Sequence, residues 1–327
     1  MNTLNKQRWH SIKLAAQLTL TGLALTLAAH QTHAQLSYSK GQHIEPAYEG
    51  WEQHEDGSYS FIFGYMNNNW QEEIDVPVGE NNSFSPGPAD RGQPTHFLPR
   101  RNRFIYKVRV PADWGDKELV WTLTSNGVTK RAYATLRPDY VVDNMIIASE
   151  NGSLGAGTSS PESRANKPPT LVVDDERLQG EYVLVAGEAL TLRAQVEDDG
   201  IPKPRASSAA QRLLGGSKRL ADGTPASALR PPTRVTVGKK VGLHLSWFVY
   251  RGAGKVTFDP PQVKIWEDTR ASANSPWGPV WVPPPIPEDG WYEVKVTFSE
   301  PGDYVLGARA DDGGLFADQY VTVHVSP

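Results

Sequence analysis

Three sets of side chains in this sequence have the types and spacing to do chemistry: clustered carboxylates, dispersed histidines and ten tryptophans. Glu197, Asp198 and Asp199 close one alternating stretch, and Asp311 and Asp312 close another. If both stretches are strands ending at one pole of a sandwich, their oxygens suit a hard cation such as Ca²⁺. No spaced Asp-x-Asp loop accompanies them, and Asp beside Gly is ordinary turn chemistry. The expectation is therefore turn residues with no cofactor, calcium being the one metal the pattern would admit. Glu72 and Glu73 follow Trp70, and His96 stands in the same half of the chain. Paired carboxylates serve glycoside hydrolysis only at a set separation, and neighbours in a strand point apart.

His43, His54, His96, His244 and His324 lie far apart, without the His-x-His or His-Glu-x-x-His spacing that zinc sites use. His244 and His324 fall on the outward positions of their alternating stretches. No Gly-x-Ser-x-Gly elbow is present for a nucleophilic triad. The chain is expected not to be an enzyme, and an enzyme using Glu72, Glu73 or His96 is the third reading.

The tryptophans are the stronger lead. Trp121 and Trp247 occupy inward positions and belong to cores. Trp51, Trp70, Trp114, Trp266, Trp277, Trp281 and Trp291 fall in or beside loops, and Ser275 to Tyr292 is rich in proline and tryptophan. An indole offers a large rigid face that stacks on a sugar ring or a partner side chain at little entropic cost. Trp70, Trp277, Trp281 and Trp291 are the ligand-binding candidates; covering a sandwich edge is their competing use.

The elements that must position these groups read as strands throughout. Tyr59, Phe61, Phe63 and Tyr65 alternate with Ser60, Ile62 and Gly64, and Phe104, Tyr106, Val108 and Val110 alternate with Ile105, Lys107 and Arg109. Ile74, Val76 and Val78 form a shorter run whose Pro77 predicts an edge. Leu119, Trp121 and Leu123 lead to Asn126-Gly127, a strong hairpin signal, and a return strand to Leu136. Residues 46–142 are thus an all-β domain, 143–169 a linker rich in turn residues, and 170–327 a second all-β domain. In the second domain Leu190, Leu192, Ala194 and Val196 form one strand and Leu243, Leu245, Trp247 and Val249 another. A basic insertion over 201–232 separates those two strands, with Lys203, Arg205, Arg212, Lys218, Arg219 and Arg230 against the single acid Asp222. Tyr292, Val294, Val296 and Phe298 precede a closing hairpin.

That hairpin carries a resemblance. Pro301-Gly302, the strand Tyr304, Leu306, Ala308 and Ala310, the turn from Asp311 to Gly314 and the strand with Val321, Val323 and Val325 resemble the end of an immunoglobulin-like sandwich. More narrowly, they look like the PKD and cadherin-like domains of bacterial exported proteins. The resemblance implies a fold and no activity. The first domain is similar to a module of uncharacterised bacterial exported proteins. The shared pattern runs through Phe63, Gly64, Tyr65 and Asn67, then Val76, Pro77, Gly79 and Asn81, then Asp90, Gly92, Gln93 and Pro94, then Arg101. Its phenylalanine falls at Phe84, one residue later after Asn81 than the pattern has it.

Residues 1–34 read as a signal peptide: Lys6, Arg8 and Lys13, an apolar run from Leu14 to Ala29, then Thr32-His33-Ala34 before Gln35. The apolar run is shorter than the roughly 20 residues a spanning helix needs, so no transmembrane segment is expected in the mature chain. Cleavage would take the net charge from −4 to about −7, which disfavours nucleic acid as a partner. The absence of cysteine excludes disulfides, thiolate metal sites and a lipoprotein anchor. The whole reads as an all-β protein of two immunoglobulin-like sandwiches joined by a flexible linker. It is expected to be exported to the periplasm or beyond the cell and to act in binding, adhesion or envelope assembly. The partner is an unknown protein or glycan of the envelope, and a carbohydrate-binding module is the alternative.

Overall fold

Period-two alternation dominates the chain, and strands dominate the fold. The structure, a computed structural model, describes residues 39–151, 160–173, 181–203, 242–266 and 287–327. The expected signal peptide, Trp277, Trp281 and all but the first residues of the basic insertion lie outside the described residues.

The first half packs two three-stranded sheets face to face. One has the order β1 (Ile44–Gln53), β2 (Tyr59–Asn67), β6 (Arg100–Val110); the other has β4 (Asn82–Ser85), β7 (Leu119–Ser125), β8 (Val128–Ala134). A two-residue pair, β3 (Ile74–Asp75) with β5 (His96–Phe97), closes one end. Aromatic rings fill the space between. Phe63 stacks on Tyr106, Phe84 stacks on Trp121, and Phe61 meets Trp114 edge-on. Asn126-Gly127 makes the hairpin its sequence predicts, both residues having positive φ.

The second half packs two four-stranded sheets over one aliphatic core. One sheet runs β13 (Val256–Asp259), β14 (Trp291–Phe298), β11 (Ala189–Glu197), β9 (Thr170–Val173). The other runs β10 (Glu181–Val185), β16 (Phe316–Ser326), β15 (Gly302–Asp311), β12 (His244–Arg251), with β10 parallel to β16. In chain order this is the A-B-E-D sheet facing C-F-G, with an added strand beside G, which is the immunoglobulin arrangement. Two further marks agree. Trp247 is buried on the third of those strands, and the Tyr304 hydroxyl donates to Ala253 O at 2.6 Å and lies 2.9 Å from Glu300 O. A tyrosine at the start of the F strand that bonds back to nearby backbone is the tyrosine corner of such sandwiches.

The structure departs from the sequence reading at several points. The strand expected through Ile74, Val76 and Val78 shrinks to two residues, because Pro77 has no N–H to continue the ladder. Phe104 does not share a face with Tyr106. A positive φ of 52° turns it into a separate cluster with Ile62 and Val142, while Ile105 enters the aromatic core. His244 is not outward; it is buried, its ring bonded to Gly242 O. β9, β10 and β13 were not expected, each being too short to show a period.

The linker expected over 143–169 holds two short helices, α1 (Asn144–Asn151) and α2 (Pro161–Ala165). In α2, Ser160 and Ser163 cap one another reciprocally and Pro161 takes a first-turn position, where its missing N–H costs nothing. The segment is also not all that joins the two halves. Phe248 and Tyr250 of β12 belong to the first sandwich's aromatic core, and Tyr320 of β16 donates to Ile105 O at 3.2 Å. Beyond the expected linker, the two halves also meet directly at the outer face of the β12–β15–β16 sheet. Gly307 permits the docking face: a Cβ there would lie 2.3 Å from the Phe248 ring.

Candidate functional site

Most of the polar chemistry of the first sandwich is spent on holding a loop. Asn82 and Gln93 are both fully buried. Asn82 donates to Val76 O and Pro94 O, both at 2.9 Å, and accepts from Trp121 Nε1 at 2.9 Å. Gln93 donates to Ala89 O and accepts from Arg91 N. Buried amides so saturated fix backbone that has no ladder of its own. The asparagine one residue before it, Asn81, is exposed.

The loop held in this way grips the second sandwich. Asp90 takes a two-pronged pair from Arg251, at 2.7 and 3.0 Å, and Gln93 O accepts from Arg251 Nε at 2.8 Å. The Tyr250 hydroxyl donates to Gly92 O. Thr95 completes the grip, its N–H donating to Tyr250 O and its hydroxyl accepting from Gly252 N. The bond from Arg251 holds the Asp90 carboxyl below the usual carboxylate range. On the same face Arg309 pairs with Asp318 through two 2.7 Å bonds, both residues nearly buried, and its guanidinium lies 3.8 Å from the Phe316 ring centroid.

The catalytic candidates are tied up structurally. Burial works against the charged form of His96, but Nδ1 donates to Asp75 at 2.7 Å and Nε2 to Glu73 at 3.1 Å, pushing its pKa up to about 9. His96 is thus an imidazolium at neutral pH, with no lone pair to act as a base. Its bond holds Glu73 low. Glu72 points elsewhere and accepts from Gly41 N.

Of the acidic candidates, Glu197, Asp198 and Asp312 line one cavity of about 520 Å³, and Asp199 and Asp311 are not in its lining. The aspartates face backbone donors. Asp312 accepts from Gly314 N, Leu315 N and Asn166 Nδ2; Asp311 from Gly313 N; Asp198 from Gly200 N; Asp199 from Lys167 N and Ile201 N. Burial raises Asp312 to about 7 despite those bonds. Among the described residues no three His, Cys, Asp or Glu side chains converge in a way that would hold a metal ion.

The tryptophans divide. Trp114 is buried in the first core and Trp51 packs against it. Trp70 lies under the Arg100 guanidinium at 4.1 Å. Trp291 opens β14 on the outer face of its sheet and lines a groove of about 470 Å³. No sequence signal could have separated Trp291 from Trp70, because the groove is made by where β13 stops.

No family model and no curated protein matches the chain. Among solved structures it is similar to an S-layer protein, rSbsC, at 9% identity and a TM-score of 0.23, over 87% of this chain and 28% of that one. It is similar to a chimeric titin Z1Z2 at 11% identity and a TM-score of 0.22, over 88% and 100% of the two chains. The adhesin InvE of Yersinia pseudotuberculosis aligns at 10% identity and a TM-score of 0.22, over 87% and 59%. The chain thus spans well under a third of the S-layer protein. Likeness at this level fixes neither fold nor role. What defines the class is the chain's own geometry: a mostly β protein of several sheets, its second half in immunoglobulin strand order. No helix among the described residues is long and apolar enough to cross a membrane.

Proposed function

We propose that this chain is a non-enzymatic binding protein of the bacterial cell envelope, exported to the periplasm or beyond the cell, acting in adhesion or envelope assembly. The observation that carries the reading is the grip of Asp90, Gln93 and Thr95 on Tyr250 and Arg251. A protein that must hold two surfaces together under load needs its domains locked, and here buried and charged groups go to that lock. The narrower likeness to PKD and cadherin-like domains fits the same role and rests on the Pro301 to Gly314 run.

The test is sedimentation of purified chain, lacking residues 1–34, with isolated envelopes over a range of concentrations. Saturable binding that survives a moderate rise in salt is the expected result. Linear, unsaturable uptake would remove the reading.

A further inference from the structure

The linker does not simply run into the second sandwich; a buried side chain fastens it to that sandwich's acidic end. Helix α2 ends against Asn166, which is 6% exposed. The Asn166 amide nitrogen donates to Asp312 Oδ2 at 3.1 Å, across 146 positions of sequence. Lys167 then donates its N–H to Asp199 Oδ2 at 3.2 Å, and β9 begins at Thr170.

Asp312 is 1% exposed. One of its oxygens is met from its own turn, accepting from Gly314 N and Leu315 N. The other accepts from Asn166, the one side chain bonded to this carboxyl among the described residues. The charges around it share its sign. Asp311 adjoins it on the turn, and Glu197 and Asp198, from the end of β11, line the same cavity. From β12 the buried His244 ring lies 4.0 Å from Asp311 Oδ2. Arg309 of β15 is taken by Asp318. The linker brings the neutral Asn166 and the backbone of Lys167, whose side chain is exposed.

A buried carboxylate among like charges is unfavourable, and either a proton or water relieves it. The proton fits the closed arrangement. Asn166 Oδ1 is buried and has no partner, so the amide holds a spare acceptor beside a carboxyl that becomes a donor when neutral. Water needs the arrangement to open. Gly314 and Leu315 move with Asp312 as parts of one turn, whereas Asn166 belongs to a separate segment and holds this carboxyl through a single bond. The cavity of about 520 Å³ that Asp312 lines gives water room to follow.

We propose that Asn166 and Asp312 form a proton-operated latch between the linker and the second sandwich, closed when Asp312 is neutral and released when it is charged. The electrostatics agree in direction: burial pushes the Asp312 carboxyl from 3.8 up to about 7, against three hydrogen bonds that favour the charged form. Released and hydrated, the group returns towards 3.8. Closure is therefore complete below about pH 4 and is lost as pH rises through 7.

The test is amide hydrogen exchange on the whole chain between about pH 5 and 8, each rate divided by its intrinsic value, since local openings are read this way. Lys167 is the reporter, because its N–H bonds Asp199 only while the linker is seated. Val323, buried in β16, reports the core. Protection at Lys167 should fall about three- to tenfold per pH unit up to 7 and level off above, the slope of one proton. It should stay below that of Val323 throughout, because the opening is local. Asp312→Asn should flatten the slope. Asn166→Ala, which leaves the Asp312 turn whole, should hold Lys167 at the parent's high-pH protection at every pH.

A flat profile in the parent overturns the latch. So does an unchanged slope in Asp312→Asn, which would place the proton on His244 or Asp198, or equal protection at Lys167 and Val323, which would leave only global unfolding. Should Asp312→Asn fail to fold, the Asp312 carboxyl carbon, followed by NMR in the parent, decides the matter: titration near 7 is expected, and titration near 3.8 sinks the proposal.

Discussion

The two sandwiches reach similar ends by different means. The first is filled with aromatic rings and threaded by buried amides: Asn67, Asn69, Asn82, Gln93 and Asn102 are all essentially inaccessible. The second is filled with Leu, Val and Ala from six strands, and its described core needs almost no polar help. The difference follows from how much regular ladder each has. Two three-stranded sheets leave long connections at 68–81 and 86–95 whose backbone, apart from the two-residue pair of β3 with β5, lies outside any strand ladder. Buried backbone must be bonded, so side-chain amides take the ladder's place. Four-stranded sheets bond their own backbone, and aliphatic burial suffices.

The sharpest way to break that contrast is to remove one amide. Asn82→Ala strands Val76 O, Pro94 O and Trp121 Nε1 together, and at about 1–3 kcal/mol for each buried group left unmet the loss should reach about 4 kcal/mol. Asn81→Ala, one residue away and exposed, should change urea unfolding by less than about 0.5 kcal/mol. Similar losses for both would mean that the amide lattice is incidental.

The next effect is at the shared face. Arg309→Leu leaves Asp318 buried without its pair, a change that costs about 3–5 kcal/mol when one partner of a buried pair is removed; Arg309→Leu with Asp318→Leu should recover most of it. Docking also predicts cooperativity. The parent should unfold in one calorimetric transition, and Tyr250→Phe with Arg251→Ala should split it into two. Two transitions in the parent would show that the grip does not couple the halves.

Much of the second sandwich was legible, because burial and period two coincide there: Tyr304, Leu306, Ala308 and Ala310 are all fully buried, as alternation requires. Its other face was not. Gly307 and Arg309 lie on that face and are covered, Gly307 by the Phe248 ring and Arg309 by Phe248, Phe316 and its pair with Asp318, and no local pattern announces such a cover. The first sandwich was legible in its hairpin and its core tryptophan. It was misread at Phe104, where a left-handed backbone breaks the alternation. Asn82 was missed for a different reason: a buried asparagine looks like any loop asparagine until its three partners are known. The candidate sites followed the same rule. Glu197, Asp198 and Asp312 stand at strand ends and share one cavity, whereas the Trp291 groove depends on Pro260, 31 residues earlier (291 − 260), where no binding motif marks it.

His96 supplies a pH test within the first sandwich. Its folded pKa, about 9, lies above the unfolded value near 6.5. Its contribution is thus fully present below about pH 6.5 and lost as pH rises through 9. Unfolding free energy should fall across that window by about 2 kcal/mol, a figure reduced from the shift alone because Glu73 and Asp75 are partly solvated. His96→Gln should flatten the slope, and an unchanged slope would place its origin elsewhere.

The smallest effect belongs to the acidic pole of the second sandwich. Burial raises Asp312 from 3.8 to about 7. A raised folded pKa means stability that is complete at acid pH and declines as pH rises through 7. Asp312→Asn removes the charge and keeps an oxygen to accept from Gly314 N and Leu315 N. The Asn166 amide, turned end for end, can then accept from the new amide through Oδ1, an atom that is buried and has no partner in the native arrangement. The variant should match the parent at pH 4 and exceed it by about 1 kcal/mol at pH 8. Calcium decides the remaining use of these carboxylates. A cation that bound only the folded state would raise the melting temperature by mass action. Melts in EDTA, in about 1–2 mM CaCl₂ as weak extracellular sites require, and in equal MgCl₂ should coincide, because backbone N–H groups already bond Asp199, Asp311 and Asp312 and one oxygen of Asp198, leaving only Asp198 Oδ1 buried without a partner. A rise of several degrees with calcium alone, abolished in Asp312→Asn, would make the pole a metal site and not a turn.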